Sequence, residues 1–159
     1  MNPKKYALIG GILMLAFGAA ALVPNLSQYP TDGTLLPLDV NTSYGLFLNM
    51  FPMNIFNKLA LIVFGVLGIW AANVQGKNLS MSMWWSRAVL FVMGAAAIVG
   101  LIPQTCTLYG YWPMYGATVY SHAVFAILGG IFGYALSTKA SHNEQVKMAE
   151  MPKFARDRT

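Results

Sequence analysis

Charge is what this chain has least of. Lysine, arginine, aspartate and glutamate make up 9% of its 159 residues, where a soluble domain carries about 25%. So few charges cannot cover a water-facing surface, which excludes an ordinary soluble domain and leaves the bilayer as solvent. Cys106 is the single cysteine, so an internal disulfide and a thiolate metal site are excluded. A lone thiol without a pKa-lowering setting reads as inert. Asp and Glu are missing from every apolar stretch, whereas a proton-coupled transporter usually needs an intramembrane carboxylate or relay. HExxH, GxSxG, paired-cysteine and phosphate-cradling motifs are missing too, as is a second intramembrane histidine for bis-histidine haem. The expectation is a protein that is not an enzyme.

What is present is apolar and repeated. Four stretches approach spanning length, at about residues 6–23, 55–72, 88–102 and 119–136. At about 1.5 Å per residue, about 20 residues cross about 30 Å of hydrocarbon. The third stretch is short by that measure and spans only if Trp84 and Trp85 sit at the interface. Lys4 and Lys5 followed by Ala19, Ala20 and Ala21 could be taken for a cleaved signal. However, Gly18-Ala19-Ala20-Ala21-Leu22-Val23 matches Gly94-Ala95-Ala96-Ala97-Ile98-Val99, so the first stretch reads as a retained helix. Phe51-Pro52-Met53 and Trp112-Pro113-Met114 form a second matched pair. The predicted fold is an all-α membrane protein, a four-transmembrane-helix bundle of two parallel helix-pair repeats at about 6–75 and 86–138. The membrane domain covers 1–136, and 137–159 forms a cytoplasmic tail that is solvated or straps a partner.

The net charge of +5 is topological rather than a nucleic-acid signal. Nine of the ten Lys and Arg precede the first stretch, flank the connection between the second and third (Lys77, Arg87) or follow the fourth. The connections 24–54 and 103–118 contain neither residue, and their only acids are Asp32 and Asp39. The positive-inside rule then places both termini in the cytoplasm and both long connections outside. Residues 25–44 read as a structured external loop. Residues 45–51 have a helical flavour and could lie along the outer interface. Pro52 and Pro113 fit the first turns of the helices that follow them.

Small residues line the stretches, including Gly65, Gly68, Gly94, Gly100, Gly129 and Gly133, the last two spaced as GxxxG. Such residues let helices approach closely in lipid. They read either as packing within the bundle or as a docking face for another membrane protein. Aligning Gly65 with Gly129 sets Lys58 opposite His122, the ionisable Lys and His near the spans. Intramembrane ionisable groups are candidates for function. His122 could ligate a chlorophyll or haem metal, or simply hydrogen-bond a loop carbonyl or a neighbour such as Tyr120. Lys58 could hold a lipid phosphate, or snorkel to the outer headgroups. Asn54, Asn57, Asp32 and Asp39 could share one outer polar site. Tyr44, Phe47, Phe51, Tyr109, Tyr111, Trp112, Tyr115 and Tyr120 read as an aromatic belt or as a stacking surface for pigment or quinone.

Residues 45–68 resemble the signature of a bacterial four-transmembrane-helix family known as a domain of unknown function. Phe51, Pro52, Asn54, Leu59, Gly65 and Gly68 match its pattern, while Asn57 and Leu61 stand where that pattern has histidine. The resemblance implies the four-helix fold and a bacterial membrane location. Three functions remain open. The favoured one is a non-catalytic accessory subunit of a photosynthetic or respiratory complex in a cytoplasmic or thylakoid membrane. It would bind membrane lipids and other integral subunits, with chlorophyll, carotenoid or lipid at the helix surface. The second is a stand-alone lipid or small-molecule binding protein using Lys58, His122, Asn54 and Asn57. The third is a small transporter.

Overall fold

The computed structural model describes residues 1–30, 33 and 35–150. Among the described residues, four helices are long and apolar enough to cross a membrane. The first, α1 (Pro3–Ala21), starts where the Asn2 side chain accepts from Lys5 N and Pro3 fills the first turn. The second, α2 (Ile55–Asn73), is opened by a capping box: Asn54 accepts from Phe56 N and Asn57 N, and Asn57 accepts from Asn54 N. That exchange satisfies amide donors that the first turn leaves without helical partners.

The third, α3 (Asn78–Leu101), has 24 residues. It begins well before the hydropathy boundary, so Arg87 lies inside the helix rather than beside a connection. Trp85 turns into the bundle. It is 6% exposed, donates to the Phe64 carbonyl at 2.9 Å and packs against Tyr6. A buried indole N–H needs such an acceptor. Trp84, by contrast, is 65% exposed.

The fourth span joins α4 (Ala117–Gly130) to a wide π turn, Ile131–Ala135. Arg87 Nε donates to the Gly133 carbonyl in that turn at 2.9 Å, and its guanidinium lies 4.6 Å from the centre of the Tyr134 ring. Within the predicted tail, residues 137–150 form a helix, α5 (Ser137–Glu150). The remainder of the predicted tail, 151–159, lies outside the described residues, as does Asp32.

Two further expectations are corrected on the loop side. Residues 45–51 are not helical. They contribute to a small antiparallel sheet of β1 (Ser27–Gln28), β2 (Gly45–Phe47) and β3 (Phe51–Met53), in that spatial order. Neither proline enters a helix: Pro52 lies in β3, and Pro113 precedes α4 by an irregular segment. Asn54 and Gly116 mark the helix starts instead.

The helices pack as two antiparallel hairpins, α1 with α2 and α3 with α4, through glycine. A Cβ on Gly65 would stand 2.5 Å from Leu15 N and 2.8 Å from the Gly11 carbonyl. One on Gly68 would meet the Trp85 ring and the Ala7 carbonyl. One on Gly129 would stand 2.6 Å from the Ser86 carbonyl, and one on Gly133 would press on Arg87. At Gly100 it would overlap the Met114 carbonyl. Gly94 alone of the predicted packing glycines has room, with Ala126 Cβ at 3.7 Å. The GxxxG pair thus packs against α3 of its own chain, which removes it as a docking face. Dispersion contact of this kind replaces the hydrophobic drive that lipid does not supply.

Side chains close the terminal side of the bundle. Tyr6 stacks on Phe132 at 4.7 Å, tilts against Trp85 at 5.6 Å and donates to the Phe125 carbonyl. Ala7, Met14, Ala71, Val89, Met93 and Ala126 complete that core. On the loop side the hairpins leave a space.

Candidate functional site

The loop side is roofed by the two long connections, hydrogen-bonded to each other. Asp39 N and Val40 N donate to the Gly110 carbonyl at 2.9 and 3.2 Å. Leu36 N donates to the Tyr115 hydroxyl, which pairs with the Tyr44 hydroxyl. Burial, and then the Tyr115 contact, push the Tyr44 phenol above its ordinary range.

Three of the predicted site residues hold this roof. Asn54 is 0% exposed and donates to the carbonyls of Val40 and Tyr111 at 3.1 and 2.8 Å. Asn57 donates to the Pro113 carbonyl at 3.0 Å. Lys58 does not snorkel. It is 0% exposed, and its Nζ donates to the Ser43 carbonyl at 2.6 Å and the Ser43 hydroxyl at 2.8 Å. Buried polar groups are expensive unless partnered, and here the partners are loop atoms.

Beneath the roof lies a partly enclosed cavity of about 630 Å³ between the two hairpins. Leu13, Met14 and Phe17 of α1 and Asn57, Ala60, Leu61 and Phe64 of α2 form one side. Val92, Met93, Ala95, Ala96 and Val99 of α3 and Thr118, Ser121, His122 and Phe125 of α4 form the other. Phe51, Met53, Leu108, Trp112 and Met114 close the roof. Lysine, arginine, aspartate and glutamate are absent from the described lining. The exposed side chains of Leu13 and Phe17 on α1, and of Val92 on α3, mark its rim.

The α4 wall carries the polarity. Ser121 donates to the Thr118 carbonyl within its own helix. Thr118 Oγ1 and His122 Nδ1 are buried and have no hydrogen-bond partner. Thr118 is 2% exposed. The expected bond from His122 to a loop carbonyl or tyrosine is therefore missing. Each such group forfeits about 1–3 kcal/mol of solvation while unpaired. In native proteins an orphan of this kind calls for an explanation, a partner supplied from outside the chain being one.

The match to the family described as Domain of unknown function (DUF4383) covers residues 4–135. The chain belongs to that family. No curated protein and no solved structure matches it. Within this DUF4383 fold, the segment that carried the resemblance runs through β3 and into α2, where Asn54 caps the helix and Gly65 and Gly68 touch α1 and Trp85. Asn57 and Leu61 of that segment both line the cavity.

Of the four predicted binding residues, the structure brings His122 and Asn57 to one cavity and turns Lys58 and Asn54 toward the roof. Sequence analysis singles out His122 alone on the α4 wall. Thr118, Ser121 and Phe125 share its helix face at i, i+3 and i+7 from Thr118, and that spacing is the signal that would find them.

Proposed function

We propose that this protein is a non-catalytic, membrane-embedded binding protein for a small molecule that dissolves in the bilayer. The observation that carries the proposal is the apolar cavity of about 630 Å³ whose lining residues Thr118 and His122 each hold a buried, unpartnered polar atom, Oγ1 and Nδ1. Ligand sites are commonly of this size, mostly apolar, with a few placed polar groups. The rim residues belong to helices long and apolar enough to span, so entry would be lateral, from lipid. With nine of ten Lys and Arg grouped on the terminal side, both termini face the cytoplasm and the cavity lies in the outer half of a bacterial cytoplasmic membrane. The two hairpins are taken as diverged copies of one unit. An accessory-subunit role is less favoured, because the glycine faces that motivated it are occupied within the chain.

The test is extraction into lipid nanodiscs followed by native mass spectrometry and solvent extraction. The comparison is with Ala96→Phe, which fills the cavity from α3. The expected result is a defined bound molecule, distinct from bulk phospholipid, that the variant loses. Identical bulk-lipid profiles for both proteins would overturn the proposal.

A further inference from the structure

We infer that the occupant is an uncharged carbonyl compound of the quinone class, its carbonyl oxygen held jointly by the Thr118 hydroxyl and the His122 ring. This rests on the cavity reading above and names the chemistry of that same site. Thr118 and His122 lie one helical turn apart on one face of α4 and both line the cavity, so rotation of their side chains brings the two orphan atoms onto one ligand atom. A carbonyl oxygen has two lone pairs and accepts from two donors. With the His122 proton on Nδ1, one such oxygen satisfies both orphans at once, whereas a hydrocarbon satisfies neither.

Charge excludes the common acidic lipids. The nearest buried cation, Lys58, gives its ammonium to Ser43 and is not part of the lining. A carboxylate or phosphate would enter without a counter-charge, and burying an unpaired ion is very costly. The walls favour a flat ring: Phe51, Phe64, Trp112 and Phe125 all face the space, and aromatic side chains pack well on planar groups.

The experiment uses the full chain in nanodiscs, probed with a short-tailed benzoquinone that quenches tryptophan fluorescence. A ringless isoprenoid hydrocarbon, the matching isoprenoid alcohol and a fatty acid serve as competitors. Saturable quenching is expected, displaced poorly by all three. Thr118→Val and His122→Phe should each weaken the quinone by about 3- to 10-fold, the loss of one hydrogen bond. Thr118→Ser and His122→Asn, which keep a donor, should retain most of the affinity and guard against a folding artefact. Hydrocarbon or alcohol competing as well as the quinone would overturn the carbonyl assignment while leaving the cavity occupied. So would full affinity in Thr118→Val and His122→Phe. Binding of none of the probes, with Ala96→Phe behaving as wild type, would instead remove the cavity reading itself.

Discussion

Lys58 illustrates how a residue's role turns on a partner far away in pattern though near in space. An amine near a helix end in lipid ordinarily reaches for headgroups, and nothing in the hydropathy of α2 says otherwise. The deciding atom is on Ser43, which adopts φ 54°, a left-handed turn that aims both its carbonyl and its hydroxyl at Nζ. Lys58→Met keeps the length of the side chain and deletes both bonds. It should cost about 2–4 kcal/mol, since hydrogen bonds to charged groups contribute about 1.5–3 kcal/mol each and the buried charge is removed with them. A thermal melt in detergent measures this, and faster proteolysis within 29–43 would localise it to the roof. An unchanged melt would mean that water takes over the Ser43 carbonyl. The same logic separates Asn54 from His122. Both are polar residues near the loop-side end of a spanning helix, yet the first is fully partnered and the second is not.

At the level of elements, the number of spanning helices was legible because apolar runs of spanning length have few other uses. Their ends were not. Asn78 to Arg87 carries polar residues that nearby helix carbonyls accommodate, as Ser82 donates to the Ala71 carbonyl of α2 and Ser86 to the Ser82 carbonyl of its own helix. The strands were illegible for another reason. They have two or three residues each, and the turn joining β2 to β3 holds Leu48 and Asn49 at φ 52° and 56°. Tight turns of that hand usually announce themselves with Asn-Gly, and leucine hides this one. Glycine burial offers a paired test. Gly129→Ala must push α3 and α4 apart against backbone atoms at 2.6 and 2.8 Å, and overpacking of that kind costs about 1–3 kcal/mol. Gly94→Ala meets only Ala126 Cβ at 3.7 Å and gains up to about 1 kcal/mol of helix propensity. Opposite shifts in melting temperature are expected; equal shifts would mean that the α3–α4 contact is looser than drawn.

For the molecule as a whole, the proposed orientation rests on charge placement alone, and it is directly measurable. In a Cys106→Ser background, which removes the one buried free thiol, Tyr109→Cys should react with an impermeant maleimide from outside intact cells. Tyr109 is 76% exposed on the second long connection. His142→Cys, on α5, should react only after the membrane is opened. The reverse pattern would invert the molecule and place the cavity in the inner leaflet. The cavity itself had no sequence signature, because it arises where two hairpins fail to fill the space between them. Its lining is ordinary membrane-helix composition; only the unpartnered atoms on α4 distinguish it.

The roof also constrains how the protein is made. Its hydrogen bonds join residues 36–57 to residues 110–115, so half of its partners emerge from the ribosome only after α3 has been synthesised. Until then the first hairpin can fix Lys58 on Ser43, but Asn54 must leave its bond to the Tyr111 carbonyl unmade, and Asn57 its bond to the Pro113 carbonyl. The first connection therefore waits outside the membrane as an unfinished surface, and the pocket comes into being with the last insertion step. On the proposed function, a molecule entering from the bilayer would have no site to occupy before that moment, so loading would follow assembly.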